Sequence, residues 1–256
     1  MHLVSKKILS FLINNQIPKA RSGRHDSQSL YHYLDVIGNV LKTGVPWRSI
    51  KNTLHYSTYH KKFTLYNKYG IFQLAHQILI KYLRRQKKIA TKELFIDSTM
   101  IKNIQGRDGI GINHYDRGRK GVKISVIVTN QGIPLGMKVS KSNIHDLNLV
   151  NETIDDIKIK IVGSRLVGDK GYVSSKMKNE LLLKRGIRMI YPLKKGEKKV
   201  ISQQDKKLLK DRHIVENFFS WMKQYRRIRN RYDHQVANYI GFCYLGLIEM
   251  IVKKLC

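Results

Sequence analysis

Hydrophobic positions recur at spacings of three and four residues through much of the first ninety residues. This period predicts amphipathic helices over 30–44, 55–70 and 71–85. In the first of them the apolar stripe consists of Leu30, Leu34, Ile37 and Leu41. Gly44 suits the end of that helix, because glycine readily adopts the left-handed conformation common there. The pattern therefore predicts a small helical domain over residues 1–90.

A short WRSI turn, containing Trp47 and Arg48, separates the first two of these helices. A helix, a tight connection and then a helix rich in Tyr, His and Lys is the outline of a helix-turn-helix DNA reader. An ordinary three-helix core, with Trp47 buried and the lysines in solvent, fits the same pattern equally well. The charge of the chain favours the DNA reader.

From residue 93 the helical periodicity gives way to short runs rich in β-branched residues, which predict strands. The predicted strands cover 93–101, 121–130, 133–142, 165–169 and 187–193, and the predicted helices cover 145–159, 174–186 and about 211–229. Three strands, helix, strand, helix, strand, helix is the order of a ribonuclease-H-like fold. We therefore predict an α/β fold with a mixed five-stranded sheet and flanking helices over residues 91–256, preceded by the helical domain.

The apolar segment YIGFCYLGLIEMIV (239–252) is a candidate membrane span at first sight. It contains Glu249 and is shorter than the roughly 20 residues that a spanning helix needs. We therefore expect a buried core helix and no membrane partner. The N-terminal segment lacks a small-residue cleavage site, so it is not interpreted as a signal peptide. The two cysteines, Cys243 and Cys256, do not predict a disulfide framework, and a reducing compartment is expected.

Positive charge dominates the composition: 49 Lys and Arg against 18 Asp and Glu give a net charge of +31. Such a chain repels itself unless a polyanion neutralises it, so nucleic acid is the leading partner. An anionic membrane surface is the weaker alternative, since the basic residues run through the whole chain and do not form one block.

Three of the scarce carboxylates stand apart from the others. Asp97 follows the apolar run LFI in the first strand, Asp169 ends the fourth strand in LVGDKGY, and Glu216 lies on the late helix beside an apolar face. A buried carboxylate without a partner is expensive. If the first and fourth strands are neighbours and the helix packs across them, the three acids meet. Mg²⁺ takes such oxygen ligands and keeps positions open for water and phosphate.

Simpler roles compete with this interpretation. Each acid taken alone is more often a cap or a partner for a nearby lysine, and only the three together favour a site. His145 and Asp146 could bind a metal but are better interpreted as the cap of the helix that starts there. Trp47 and Trp221 could stack on a base, and we expect both in the core.

Several segments resemble the transposases of bacterial insertion sequences that carry an Asp-Asp-Glu triad, and most of all the group named after insertion sequence five. KTGVPWRSI and STYHKKFTLYNKYG resemble its N-terminal motifs, and FIDSTMIKN and LVGDKGY resemble the segments with its two catalytic aspartates. DRGRKGVKISVIVTNQGIPLGMKVSKSNIHD and RYDHQVANYIGFCYLG are similar to its central strands and closing helix. Arg212, Glu216 and Lys223 keep the spacing of its Tyr-x2-Arg-x3-Glu-x6-Lys signature, and Leu209 stands at the Tyr position.

The resemblance implies a metal-dependent transposase that cuts DNA at element ends and joins the freed 3′-hydroxyl to target DNA. Asp97, Asp169 and Glu216 would be the catalytic residues and would hold two Mg²⁺ ions, for which Mn²⁺ substitutes. The candidate DNA-binding residues are Arg212, Lys223, Arg117, Arg119, Lys120, Lys170 and Arg48. KQYRRIRNR (223–231) is expected to extend the same basic surface.

Partners implied by the resemblance are the terminal repeats of the element, the target duplex and further copies of the chain. The expected location is wherever that DNA lies, which is the cytoplasm and nucleoid in a bacterium, or the nucleus or a virus factory in a eukaryotic setting. Two other interpretations stay open: a domesticated or decayed copy that only binds DNA, and a structure-selective nuclease of the same fold.

Overall fold

A computed structural model of the chain describes residues 1–18, 28–113, 117–193 and 202–255. Packing divides the chain into two compact units. The first unit consists of Met1–Leu79, Lys102–Gly109 and Trp221–Cys256, and the second of Ile80–Ile101 and Ile110–Ser220. The last 36 residues thus pack with the N-terminal helices. The functional division at residue 90 stays a prediction.

Helices form the first unit almost entirely. They are α1 (Leu3–Gln16), α2 (Leu30–Thr43), α3 (Tyr56–Lys68), the first part of α4 (Ile71–Arg85), α9 (Arg226–Arg229) and α10 (Val236–Leu255). The ends of α2 follow from its sequence. The Ser29 hydroxyl accepts a hydrogen bond from the His32 amide at one end, and Gly44 adopts φ of 70° at the other.

Trp47 lies in an aromatic cluster of the first unit, as expected. Its ring centroid is 5.6 Å from that of Phe63 and 6.1 Å from that of Phe242, and only 9% of the residue is exposed. The connection from α2 to α3 runs from residue 44 to residue 55 and contains a 3₁₀ turn over Trp47–Ser49. It is much longer than the three- or four-residue turn of a helix-turn-helix. The structure thus favours the helical core over the tight connection that we predicted.

The C-terminal helix α10 is long and apolar enough to cross a membrane by length and composition, but 78% of its apolar window is buried inside the protein. It packs against α1, α2, α3 and α9 of the same unit. A helix whose apolar surface is already covered by protein gains little from lipid, and we assign it to the core.

A mixed β-sheet organises the second unit. Its strands are β1 (Glu93–Asn103), β2 (Gly111–Asn113), β3 (Arg119–Thr129), β4 (Pro134–Lys141), β5 (Arg165–Val167) and β6 (Arg188–Ile190). The five predicted strands are present in the order β4-β3-β1-β5-β6, with β1 parallel to β5, β5 parallel to β6, and β3 antiparallel to β4. This confirms the ribonuclease-H-like fold class.

Two short strands were not predicted. The strand β2 pairs with β3, and β7 (Asn230–Arg231) pairs with Lys102 and Asn103 at the end of β1. The strand β7 has no apolar residue and β2 has only Ile112, so neither shows the apolar run that predicted the equally short strands β5 and β6.

Helices of the second unit cover the sheet: α5 (Asp146–Asp155) packs on β3 and β4, and α6 (Ser175–Arg185) packs on β6. The prediction of one helix over 211–229 is wrong. The chain forms α7 (Gln203–Lys210), α8 (His213–Met222) and then α9. Tight turns interrupt it because the Asp211 amide bonds back to the carbonyls of Lys207 and Leu208, and the Tyr225 amide to that of Met222.

Candidate active site

Asp97 and Asp169 are brought together by the parallel pairing of β1 and β5. The pairing matches Glu93 with Arg165 and Phe95 with Val167. Continued two residues beyond its last pair, the same register sets Asp97 level with Asp169. Asp97 thus lies midway along β1, and Asp169 lies two residues beyond the carboxyl end of the neighbouring parallel strand β5, the end at which α/β proteins place their ligands.

The environment of Asp97 disfavours its charge. Burial is the largest cause, and the nearby negative charges of Asp169 and Asp146 act in the same direction, raising the pKa of Asp97 from 3.8 to about 6. The Ser98 amide, which donates a 2.8 Å hydrogen bond to Asp97 Oδ1, and the Arg212 guanidinium both lower that pKa. Acids that repel one another in this way form a place where a cation is stabilised.

Asp146 is a third acid near Asp97 whose role sequence reasoning missed. The helix cap is His145, whose Nδ1 accepts from the Leu147 amide at 3.3 Å. The Asp146 carboxylate instead accepts a 2.6 Å hydrogen bond from Ser98 Oγ and pairs with Lys123 Nζ at 2.8 Å. Ser98 follows Asp97 directly, so Asp146 fixes the strand beside the candidate site. Its place in a His-Asp pair at a helix start suggested a cap and hid this contact.

The chain turns sharply after Asp169. Asp169 Oδ1 accepts a 2.7 Å hydrogen bond from the Gly171 amide and so caps a 3₁₀ turn over Lys170–Tyr172. Tyr172 is buried beneath this turn. Its burial, and then the charges of Asp146, Asp97 and Asp169, raise the pKa of its hydroxyl. The turn therefore holds Asp169 toward the other two aspartates and keeps a neutral phenol beside them.

Arg212 interacts with both Glu216 and Asp97. Arg212 and Glu216 form an i,i+4 ion pair with 3.6 Å between Arg212 Nη2 and Glu216 Oε1, while 60% of the Glu216 side chain is exposed. Arg212 also carries the positive charge that acts on Asp97. In the part of the chain that the structure describes, no group of three His, Cys, Asp or Glu side chains is close enough to hold a metal. The three-acid metal centre stays a prediction.

The predicted DNA-binding residues fall into both units. In the second unit Lys170 is exposed beside Asp169. Arg117, Arg119 and Lys120 are exposed in the β2–β3 hairpin, where Arg117 takes a left-handed φ of 52°. In the first unit Arg48 is exposed in its 3₁₀ turn and Lys223 follows the end of α8.

The prediction that residues 223–231 form a basic surface is wrong for two of its arginines. Arg227 is only 4% exposed and Arg231 is fully buried. Arg227 bonds to Asp233, at 2.9 and 3.2 Å, and Arg231 to Asp108 at 2.6 Å. Their charges are neutralised inside the first unit, so they hold the fold and do not meet solvent. Arg226 and Arg229 remain exposed.

A divalent cation would fit the carboxylate oxygens of Asp97 and Asp169, which the paired strands set level with each other. Mg²⁺ and Mn²⁺ take such hard ligands in proteins, and Glu216 would supply a further one. Burial raises the pKa of Asp97 most and the neighbouring acids raise it further, and a cation bound there would relieve that repulsion. The contact of Arg212 with Glu216 and its charge near Asp97 place one positive group among these acids already.

Comparison with known proteins decides the family. The family described as transposase DDE domain matches residues 90–248, more than half of the chain. The chain belongs to this family of DDE transposases. The matched span includes both aspartates of the candidate site and Glu216. Membership confirms the predicted resemblance to insertion-sequence transposases, and the finer assignment to the insertion sequence five group stays a prediction.

One relative and two solved structures are among the proteins to which this chain is similar. A putative transposase for insertion sequence element IS402 from Burkholderia cepacia is 28% identical over 150 residues, which are 55% of this chain and 67% of the relative. Among solved structures, a piggyBac transposase synaptic complex with hairpin DNA is 7% identical, with 95% of this chain and 70% of that chain covered and a TM-score of 0.49. A Mos1 transposase paired-end complex covers 87% of this chain and 76% of that chain at 9% identity and a TM-score of 0.28.

Proposed function

We propose that this chain is an active transposase, which cuts DNA at the ends of its element and joins the freed 3′-hydroxyl to target DNA. The observation that carries the proposal is the β1–β5 register, which sets Asp97 level with Asp169 in a chain of the DDE family. The two aspartates belong to different motifs, 72 residues apart in the chain. Side by side on neighbouring strands, they would supply the paired carboxylates that the chemistry needs.

Asp97, Asp169 and Glu216 would hold two divalent cations. Mg²⁺ is the expected ion, and Mn²⁺ the expected substitute. When bound there, such ions would supply the activation of an attacking hydroxyl and the stabilisation of the leaving oxygen. For cleavage, a water oxygen attacks a backbone phosphorus, the bond from phosphorus to the 3′-oxygen breaks, and the strand leaves with a 3′-hydroxyl. For joining, that hydroxyl attacks a target phosphorus and displaces a new 3′-oxygen.

Arg212 would bind the phosphate that is attacked. Its Nε is buried and has no hydrogen-bond partner among the described residues. A buried donor left unsatisfied is costly, and a phosphate oxygen would satisfy it. Since Arg212 acts electrostatically on Asp97 and pairs with Glu216, a phosphate on its guanidinium would lie beside both acids.

Arg117, Arg119, Lys120 and Lys170 would bind the DNA backbone around the second unit, and Arg48 and Lys223 would do so on the first. Each phosphate that these residues neutralise contributes about 0.9 to the slope of log affinity against log salt. We expect Arg119→Gln and Lys120→Gln each to lower that slope by about this amount. Titrations of the full chain on duplex DNA at several salt concentrations measure it, and slopes equal to that of the wild type would exclude the hairpin from the DNA interface.

Two subunits or more would act together on the paired element ends, and the protein would be located with its DNA, in the bacterial nucleoid if the host is a bacterium. Sedimentation of the chain with DNA from either side of its gene measures the first point. A single subunit on each DNA at saturation would contradict it.

Cleavage assays test the proposed function. With Mg²⁺ or Mn²⁺, the wild type is expected to nick DNA that carries the sequences flanking its gene, and Asp169→Asn to abolish nicking. Glu152→Gln is the control, because Glu152 is half-exposed and pairs with Lys138 away from the aspartates. Equal nicking by Asp169→Asn would refute the proposal. Binding without nicking would indicate a DNA-binding protein only, and nicking without joining of a labelled 3′ end would indicate a nuclease.

A further inference from the structure

Trp221 lies in a basic groove of the first unit and is 48% exposed, contrary to the prediction that it is a core residue. It occupies the last turn of α8, next to Met222, which still belongs to the apolar stripe of the helix. Its neighbours on the helix, Phe218 and Met222, are buried. The Trp221 ring therefore lies outside the buried stripe, and the packing of α8 does not require a large aromatic residue at this position.

The groove has a volume of about 420 Å³, within the roughly 300–1,000 Å³ typical of ligand sites. Three parts of the first unit form it: the end of α2, the turn after α8 and the last turns of α10. The lining residues are Lys42, Trp221, Gln224, Tyr225, Met250, Lys253 and Lys254. Three ammonium groups and two aromatic rings surround it, and among the described residues no carboxylate side chain lines it.

The cations lie directly over the rings. Lys254 Nζ is 5.2 Å from the Trp221 centroid, and Lys253 Nζ is 5.5 Å from the Tyr225 centroid. Burial also lowers the pKa of Lys254, because part of its ammonium is shielded from water. An anion that contacts Lys254 would therefore replace hydration that its ammonium has partly lost already.

A second cavity, of about 490 Å³, is lined by residues that are next in the chain to residues of the groove. Its residues Thr43 and Arg226 directly follow Lys42 and Tyr225 of the groove. It also exposes Arg229, and in the part of the chain that the structure describes its lining likewise contains no carboxylate side chain. An aromatic groove followed by an arginine-lined cavity matches the alternation of base and phosphate along a nucleic-acid strand.

We propose that the groove binds unpaired nucleotides of DNA, with a base stacked on Trp221 and the adjoining phosphates on Lys253, Lys254, Arg226 and Arg229. Aromatic rings between cations are how proteins bind single strands without reading their sequence. A duplex presents phosphates but keeps its bases stacked inside, so it would not use the exposed ring. The proposal rests on the proposed function, because strand cleavage and joining expose unpaired ends.

Tryptophan fluorescence tests the proposal directly, because the chain has only two tryptophans and Trp47 is buried. In metal-free buffer, a single-stranded oligonucleotide is expected to quench the wild type, and its blunt duplex to quench it much less. Trp221→Phe, which keeps a stacking ring but leaves Trp47 as the sole reporter, is expected to lose the quenching and keep the affinity. Quenching of equal size by both DNAs would overturn the proposal.

Affinity measurements supply the second arm. Trp221→Ala is expected to weaken binding of the single strand about tenfold and to leave duplex affinity unchanged. Tyr69→Ala is the matched control, since Tyr69 is 40% exposed on the same unit and does not line the groove. Unchanged single-strand affinity, or equal losses on both DNAs, would overturn the proposal. Failure of the proposed function would appear differently, as loss of metal-dependent cleavage by the wild type itself.

Discussion

Replacing Asp97 by Asn should stabilise the metal-free protein at neutral pH. Asn keeps the shape of Asp and an oxygen that can accept from the Ser98 amide, but it removes a charge that burial and two nearby carboxylates disfavour. Carboxylates that lie close together are thus expected to lower the free energy of unfolding of the metal-free protein.

The size of the effect follows from the raised pKa of Asp97. The difference between 3.8 and about 6, at about 1.4 kcal/mol per pH unit, gives roughly 3 kcal/mol as an upper value. Because the folded pKa is above the unfolded one, the folded state binds the proton more tightly. The wild type therefore gains stability relative to Asp97→Asn as pH falls through 6, and the difference vanishes below about 3.8.

Thermal unfolding of both proteins in EDTA, from pH 4 to pH 8, measures this. At about 2–4 °C per kcal/mol, the upper value corresponds to a variant that melts roughly 6–12 °C above the wild type at pH 7.5, and the gap should close at the acid end. Asp155→Asn is the control, because Asp155 is 60% exposed and pairs with Arg185 at the surface. A variant that is less stable than the wild type at pH 7.5, or a gap independent of pH, would refute this reasoning.

Three further predictions concern other parts of the molecule. Arg227→Met should destabilise the first unit by about 3–5 kcal/mol in urea unfolding, because it leaves the Asp233 carboxylate buried without its partner; a loss below about 1 kcal/mol would contradict this. Asp146→Asn should slow cleavage without abolishing DNA binding, which nicking assays and gel shifts measure. Cleavage by the variant at the rate of the wild type would exclude a positioning role for Asp146. Arg212→Met should raise the pKa of Asp97 further, since the guanidinium lowers it; an unchanged carboxyl titration by NMR would contradict the contact.

Local pattern was enough to predict most elements of the fold. Helix α2 begins at Leu30 and ends before Gly44, as its apolar period and that glycine predicted, and the five main strands lie where short β-branched runs stand between turns. The order of these elements also predicted that the strands bearing Asp97 and Asp169 are neighbours. That inference used topology, since a parallel pair has few arrangements in such a sheet.

Contacts between distant segments were beyond that reasoning. Arg231 looked like one more surface cation, yet its partner Asp108 lies 123 residues away and nothing local identifies it. Asp146 looked like a helix cap because it stands at the start of a helix, and its partner Ser98 lies 48 residues earlier, on β1. The turns that divide residues 211–229 into separate helices depend on tertiary packing, which overrides a continuous helical period. Trp221 was assigned to the core by residue type alone.

A crystal structure soaked with Mn²⁺ tests the central claim most directly, namely that Asp97, Asp169 and Glu216 jointly hold the ions that cut DNA. We predict two anomalous-scattering peaks about 4 Å apart, bounded by the oxygens of these three side chains, with Arg212 moved away from Glu216. A map with no peak between Asp97 and Asp169 at saturating Mn²⁺, or one in which Glu216 takes no part, would contradict it.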